Sequence, residues 1–70
     1  MKYDIYKNSN GEFWFKHGTY ISHREAGAAI IRSDGSKHWY KNDKLHREVG
    51  PARIGSDGRE EYWLKGVKVK

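Results

Sequence analysis

Two His-Arg-Glu triplets are the residues in this chain best suited to chemistry. They lie 23 residues apart, at residues 23–25 and 46–48, and two further histidines stand at His17 and His38. Imidazole and carboxylate groups together can bind a metal ion or exchange protons. The competing interpretation is structural, because residues one repeat apart form a ladder across a sheet. In that ladder each Arg stacks on an aromatic ring of a neighbouring strand and each Glu pairs with a basic neighbour.

The spacing of these residues favours the structural interpretation. No two histidines have the i, i+4 spacing of a helical zinc protease site, and the chain has no cysteine. The sequence contains no nucleophile elbow and no glycine-rich phosphate loop opening a helix. We therefore predict no catalytic residue, no metal site and no cofactor, and a protein that is not an enzyme.

An internal repeat of 23 residues organises the chain. Residues 33–35 spell Ser-Asp-Gly, and so do residues 56–58; Gly-Ala-Ala at 27–29 precedes Gly-Pro-Ala at 50–52 by the same interval. A fixed period of this kind indicates a repeat architecture. We divide a single domain, 1–70, into a degenerate repeat at 10–33, a complete repeat at 34–56 and a partial repeat at 57–70.

Turn signals at short intervals predict an all-β fold, an antiparallel meander of short hairpins. The predicted strands cover residues 2–7, 12–16, 20–22, 28–32, 37–41, 44–46, 52–55, 59–64 and 67–69. Alanines near residue 26 favour a helix, but the repeat aligns them with Pro51, which disfavours a helix interior. We therefore predict no helix in residues 25–29.

Composition indicates the compartment and the class of partner. The chain has 70 residues, no cysteine and a net charge of +5, and it lacks an apolar run long enough to span a bilayer. These features predict a small soluble domain in the cytoplasm. A positive field favours anionic partners, although net charge also serves solubility alone.

The complete unit resembles a MORN repeat. The resemblance rests on Trp-Tyr-Lys-Asn-Asp-Lys-Leu-His at residues 39–46, Gly-Pro-Ala at 50–52, Asp-Gly at 57–58 and Tyr-Trp at 62–63. The spelling His-Arg-Glu-x-Gly-Pro-Ala is similar to a variant repeat of small phage and giant-virus proteins. The family implies a β-sheet of hairpins that serves as a protein-interaction platform or binds anionic lipid. The usual Gly between Tyr and Trp is missing here, so we expect no binding to anionic lipid.

We predict a non-enzymatic interaction module whose binding face is the basic and aromatic side of the middle repeat. By the resemblance, it is a phage protein, located in the host cytoplasm, that modulates or inhibits a host defence or transcription factor with an acidic surface. The alternative is a nucleic-acid-binding module that uses the same face. A homodimer through an edge strand is a further interpretation. The alternative binding face is the edge at residues 67–70, where an unpaired strand could accept another chain. The predicted partner-binding residues are Lys37, Trp39, Tyr40, Lys41, Lys44, His46 and Arg47.

Overall fold

The computed structural model describes residues 2–70, and ten strands occur among them with no helix. The strands are β1 (Tyr3–Asn8), β2 (Gly11–Lys16), β3 (Ile30–Arg32), β4 (Lys37–His38), β5 (Tyr40–Lys41), β6 (Lys44–Leu45), β7 (Arg53–Ile54), β8 (Glu60–Glu61), β9 (Trp63–Leu64) and β10 (Val67–Lys68). The predicted all-β class is confirmed, as is the absence of helix in residues 25–29. No helix that could cross a membrane is found in this described part of the chain.

A six-stranded antiparallel sheet forms the body of the molecule, in the order β1-β2-β3-β4-β7-β8. Two hairpins, β5–β6 and β9–β10, leave this sheet as separate two-stranded ribbons. The sequence predicts unbroken strands over residues 37–41 and 59–64, and both predictions are wrong at their centres. Trp39 donates its N–H to Ala52 in one direction and accepts at its carbonyl from His46 in the other. The chain therefore changes partners at Trp39. In the third unit the change falls between Glu61, which accepts from Ala52, and Tyr62, which donates to Lys70 and accepts from Val69.

Asx turns connect the sheet strands of each unit. The Oδ1 atom of Asp34 accepts from the N–H of Ser36 at 2.9 Å, and Oδ1 of Asp57 accepts from Arg59 at 3.0 Å. The glycines that follow these aspartates have φ of 94° and 87°, as the Asp-Gly spelling predicts. Asn8 makes the same bond to Asn10 at 2.8 Å, which extends the pattern to the first unit.

Tight turns close the two outlying hairpins. Asn42 and Asp43 both have positive φ, at 52° and 67°, and so do Lys65 and Gly66, at 51° and 82°. Two consecutive residues of this kind form the type I′ turn that matches the twist of a hairpin. The first unit lacks this turn because residues 17–20 make a longer connection. The strand predicted over residues 20–22 is wrong: Ser22 makes only an isolated bridge to Phe15.

The core of the domain is small and lies where the loops meet the sheet. Ala29 and Ala52 are fully buried, and each donates its N–H to the next strand at 2.9 Å, to His38 and Glu61 respectively. His23 is the largest side chain that is fully buried in the described residues. With so little aliphatic core, the polar and aromatic contacts of the repeated triplets hold the units together.

Candidate binding surface

The histidine of each triplet holds the turn of the following hairpin. His23 Nδ1 accepts a hydrogen bond from the backbone N–H of Asn42 at 3.0 Å, and His46 Nδ1 accepts from Lys65 at 2.9 Å. Both bonds span 19 residues and satisfy the first N–H of a type I′ turn. Because Nδ1 accepts, each imidazole carries its proton at Nε2. The two histidines therefore join one repeat to the next.

The arginine of each triplet stacks on the tryptophan of its own unit. The Arg24 guanidinium lies 3.7 Å from the centre of the Trp14 ring, and that of Arg47 lies 4.1 Å from the Trp39 ring. This confirms the predicted cation–π ladder. The same guanidinium also closes its loop, because Nη1 donates to a carbonyl four residues on at 3.1 Å in both units.

Each glycine of the motif leaves room for that stacked arginine. A Cβ added to Gly50 would stand 3.1 Å from the Arg47 guanidinium carbon, and one added to Gly27 would stand 3.2 Å from that of Arg24. Contacts this short would push the guanidinium away from its ring. Gly50 has φ of +113°, which disfavours other residues. The spelling His-Arg-Glu-x-Gly-x-Ala is thus accounted for by the packing of the two loops.

The triplet glutamates are the members least engaged by the fold. Glu25 and Glu48 have side chains 58% and 75% exposed, and each reaches only the Nε2 atom of its own histidine, at 3.5 Å. The predicted pairing with basic neighbours is limited to these long contacts. Within residues 2–70, no three His, Asp or Glu side chains converge on one point as metal ligands would.

The third unit keeps the 23-residue spacing, but its tryptophan stands one residue later than the one at Trp39. Lys70 Nζ lies 5.4 Å from the Tyr62 ring, and Val69 donates to the Tyr62 carbonyl as His46 donates to that of Trp39. Tyr62, rather than Trp63, is therefore the structural equivalent of Trp39. Trp63 instead corresponds to Tyr40, which makes an edge contact with His38 at 6.3 Å.

Indole N–H groups hold two carboxylates of the sheet. Trp14 Nε1 donates to Glu12 at 2.6 Å, and Trp63 Nε1 donates to Glu61 at 3.0 Å. These bonds are the main reason that the pKa values of Glu12 and Glu61 lie below their usual range. The i, i+2 spacing that places both groups on one face of a strand was available in the sequence.

Lysine side chains concentrate where the two hairpins meet. Lys41 and Lys44 are directly opposite each other in the β5–β6 hairpin. The aliphatic part of the Lys44 side chain packs against Gly66 of the other hairpin, 3.5 Å from the point where a Cβ added to that glycine would stand. We call the adjoining cavity of about 320 Å³ the lysine groove; it is lined by Lys41, Asn42, Lys44, His46, Glu48 and Lys65. In the described part of the chain, Lys41, Lys44 and Lys65 take no part in an ion pair.

A second cavity continues the lysine groove between the two triplet loops. This arginine groove, of about 620 Å³, is lined by Arg24, Glu25, Ala26, Gly27, Trp39, Lys41, His46, Arg47, Glu48 and Val49. The two cavities share Lys41, His46 and Glu48. Val49 is 84% exposed at the rim, which leaves one apolar side chain open to a partner.

The structure brings together five of the seven predicted binding residues. Trp39, Lys41, Lys44, His46 and Arg47 line the two joined grooves. Lys37 and Tyr40 line neither of them, since Lys37 lies in the central sheet and Tyr40 faces His38.

Sequence reasoning missed Asn42, Glu48 and Lys65 as groove residues, together with Arg24. The 23-residue offset between Asn42 and Lys65 was a signal for the contact between their turns. The opposition of Lys41 and Lys44 follows from a two-residue turn at 42–43.

His38 lies on β4 of the central sheet and lines neither groove. Its Nε2 atom is buried and has no hydrogen-bond partner in residues 2–70. Burial lowers the pKa of His38, and the positive charges of Arg53 and Arg32 lower it further. These surroundings favour the neutral form of the imidazole.

Comparisons with known proteins leave these geometric observations as the basis for function. The chain matches no family model, no curated protein and no solved structure.

Proposed function

We propose that this protein is a non-enzymatic binding module that binds an acidic protein surface at the lysine groove. One observation carries the proposal: Lys41 and Lys44 face each other across a tight turn, beside Lys65, and within residues 2–70 no carboxylate forms an ion pair with any of them. Like charges directly opposite in a hairpin destabilise it. No ion pair within residues 2–70 offsets this repulsion, whereas an acidic partner would relieve it.

The neighbouring contacts supply a rigid frame for that surface. His46 anchors the Lys65 turn at 2.9 Å, and Arg47 fixes the loop that borders both grooves. A surface held in place loses less conformational entropy when a partner binds. The exposed Val49 adds an apolar contact at the rim of the arginine groove.

The geometry favours a protein partner over single-stranded nucleic acid. A stacking platform needs open aromatic faces, and the Arg47 guanidinium already lies over the Trp39 ring. Carboxylates of an acidic protein need only the three lysines of the lysine groove. The resemblance to variant repeats of phage proteins supports the further proposal that the partner is a host protein. Binding would then modulate or inhibit it in the host cytoplasm.

The proposal is tested by capturing partners from a bacterial lysate and titrating the captured protein. We expect the double variant Lys41→Glu/Lys44→Glu to bind about tenfold or more weakly, which corresponds to about 1.4 kcal/mol. The matched control Lys2→Glu/Lys16→Glu makes the same charge change away from the grooves and should bind as the parent does. Equal affinities for parent and Lys41→Glu/Lys44→Glu, with both folded, would overturn the proposal. Preferential binding of an oligothymidylate over an acidic polypeptide would favour the nucleic-acid alternative.

A further inference from the structure

The free edge of β1 offers backbone hydrogen-bonding groups that the fold does not use. The N–H of His17 donates to the carbonyl of Lys2, directly across from it in the β1–β2 register. Antiparallel pairs alternate between hydrogen-bonded and non-hydrogen-bonded positions, so the backbone groups of Tyr3, Ile5 and Lys7 point away from β2. Trp14 is opposite Ile5, and its N–H donates to the carbonyl of Ala29, on the side of β2 away from β1. This bond confirms the alternation.

The two edges of the central sheet are unequal. β1 has six residues, whereas β8, at the other edge, has two. Ile5 is 45% exposed and Tyr6 is 49% exposed, so the long edge is also partly apolar on both of its faces. Proteins usually shorten, cover or charge an edge of this kind, because it is a template for another strand. Of the three residues of β1 whose backbone groups point outward, Tyr3, Ile5 and Lys7, only Lys7 carries a charge.

We propose that β1 pairs antiparallel with β1 of a second copy of this chain, with Ile5 opposite Ile5 at the twofold axis. The three outward positions are symmetric about Ile5, so Tyr3 of each copy meets Lys7 of the other. Each of the three opposed pairs exchanges two backbone hydrogen bonds. The central six-stranded sheet then continues through the axis into the second copy.

The charges along β1 and the length of the pairing together select this register. With Ile5 at the centre, Asp4 faces Tyr6 of the second copy and Lys2 faces Asn8, and no like charges are opposed. A register centred on Lys7 would oppose two lysines, which destabilises a strand pair. A register centred on Tyr3 would leave Lys7 beyond the pairing and shorten it.

A single strand contact covers less area than stable interfaces need, so the dimer is weak. Because each copy carries a net charge of +5, added salt should strengthen the association by screening repulsion. The pairing does not involve the lysine groove, and it would present two such grooves to one partner, which raises avidity. It therefore holds or fails independently of the proposed function.

Sedimentation equilibrium of the purified chain over a range of concentrations tests the pairing. Ile5→Pro removes only an outward N–H, so it leaves the β1–β2 ladder intact. Ile5→Lys opposes two lysines at the axis, and Leu64→Lys, at a residue 41% exposed on β9, is the matched charge control. We expect the parent and Leu64→Lys to dimerise alike, and the two Ile5 variants to associate about tenfold or more weakly.

Amide hydrogen exchange adds a readout at the level of single residues. The N–H groups of Tyr3, Ile5 and Lys7 should become protected as concentration rises, whereas those of Asp4 and Tyr6 are protected at all concentrations. A parent chain that stays monomeric to about 1 mM at moderate salt would overturn the proposal. A dimer that Ile5→Pro forms as well as the parent would overturn it too, because the contact would then lie elsewhere.

Discussion

His46 accepts a hydrogen bond at Nδ1 from the backbone N–H of Lys65, 2.9 Å away, and His23 makes the same bond to Asn42 one repeat earlier. In both cases a side chain of one unit satisfies the turn of the next. Backbone hydrogen bonds reinforce these contacts, since Asp43 donates to Ser22 at 2.8 Å and Gly66 donates to Leu45 at 2.9 Å. The histidine and backbone contacts, with the stacked arginines, explain how a domain with a core of few alanines keeps its hairpins in place.

The inter-unit bonds give a ranked prediction for the two histidines. His23→Leu should lower the free energy of unfolding by about 1–3 kcal/mol, because it leaves the Asn42 N–H without its acceptor in a partly buried hydrogen bond. His46→Leu should cost less, since the His46 side chain is 12% exposed and that of His23 is 2% exposed. Urea denaturation of both variants measures the difference.

A partial replacement is the control for the histidine prediction. His23→Asn keeps a side-chain acceptor near the Nδ1 position and should recover part of the loss. If His23→Leu unfolds at the same urea concentration as the parent, the bond to Asn42 does not hold the turn.

The two motif glycines should differ in their tolerance of alanine. Gly50→Ala meets the Arg47 guanidinium at 3.1 Å and also carries a φ of +113°, whereas Gly27→Ala meets only the contact with Arg24. We therefore expect Gly50→Ala to be the more destabilising, by about 1 kcal/mol for the backbone strain. Thermal melts of the two variants test this order, and a less stable Gly27→Ala would contradict it.

Stability should fall as the pH drops below neutrality, because of His38. Its pKa is lowered by burial and by Arg53 and Arg32, while Asp34 and Glu61 nearby act in the opposite direction. The unfolded chain binds a proton at about the ordinary value of 6.5, before the folded chain does. The unfolded state therefore takes up more protons in that window, and the free energy of unfolding decreases as pH falls through it.

The variant His38→Phe isolates this contribution. It should flatten the loss of stability between pH 7 and pH 5 relative to the parent, when both are measured by denaturant unfolding. A nuclear magnetic resonance titration of His38 in the folded protein should give a midpoint below 6.5. A midpoint above that value would show that burial and the arginines do not control this group.

Much of the fold was predictable because the residues that recur in each repeat are mainly turn residues. Asp34 and Asp57 fix where the sheet strands reverse, and the stacked position of Arg47 follows from its register with an aromatic strand. The change of partner at Trp39 could not be predicted, since alternation is the same whether residues 37–41 stay in one sheet or leave it. In the third unit the 23-residue period places Tyr62, rather than Trp63, at the position of Trp39, and the Lys70 ammonium near the Tyr62 ring agrees with that alignment.

The binding surface was predicted in part. Lys41, Lys44 and Arg47 were identified from charge and aromatic neighbours, but Lys65 is distant in sequence and enters the groove only through the turn-to-turn contact. Such contacts depend on how the hairpins pack together, which no local pattern specifies.

A substitution that removes charge repulsion in the lysine groove should raise the stability of the fold and weaken binding of the partner. Lys41→Glu creates an opposite-charge pair with Lys44 across the hairpin and should raise the free energy of unfolding by about 0.2–1 kcal/mol. The same change should weaken binding of the captured partner. Lys2→Glu, the control, lacks a lysine opposite it and should leave the melting temperature near that of the parent. A Lys41→Glu variant less stable than the parent would show that the two lysines do not repel in the folded state.

The most direct test of the central claim is a titration of the isotope-labelled protein with an acidic polypeptide, followed by amide chemical shifts. Binding at the lysine groove predicts that the largest changes fall on residues 41–44 and 65–66, with smaller ones at residues 47–49. The Asx turns at residues 33–36 and 56–59 should change little, although residues 33–35 and 56–59 are also exposed. Shift changes concentrated on those turns or on β1, or no change in the presence of excess polypeptide, would contradict the assignment of the binding surface.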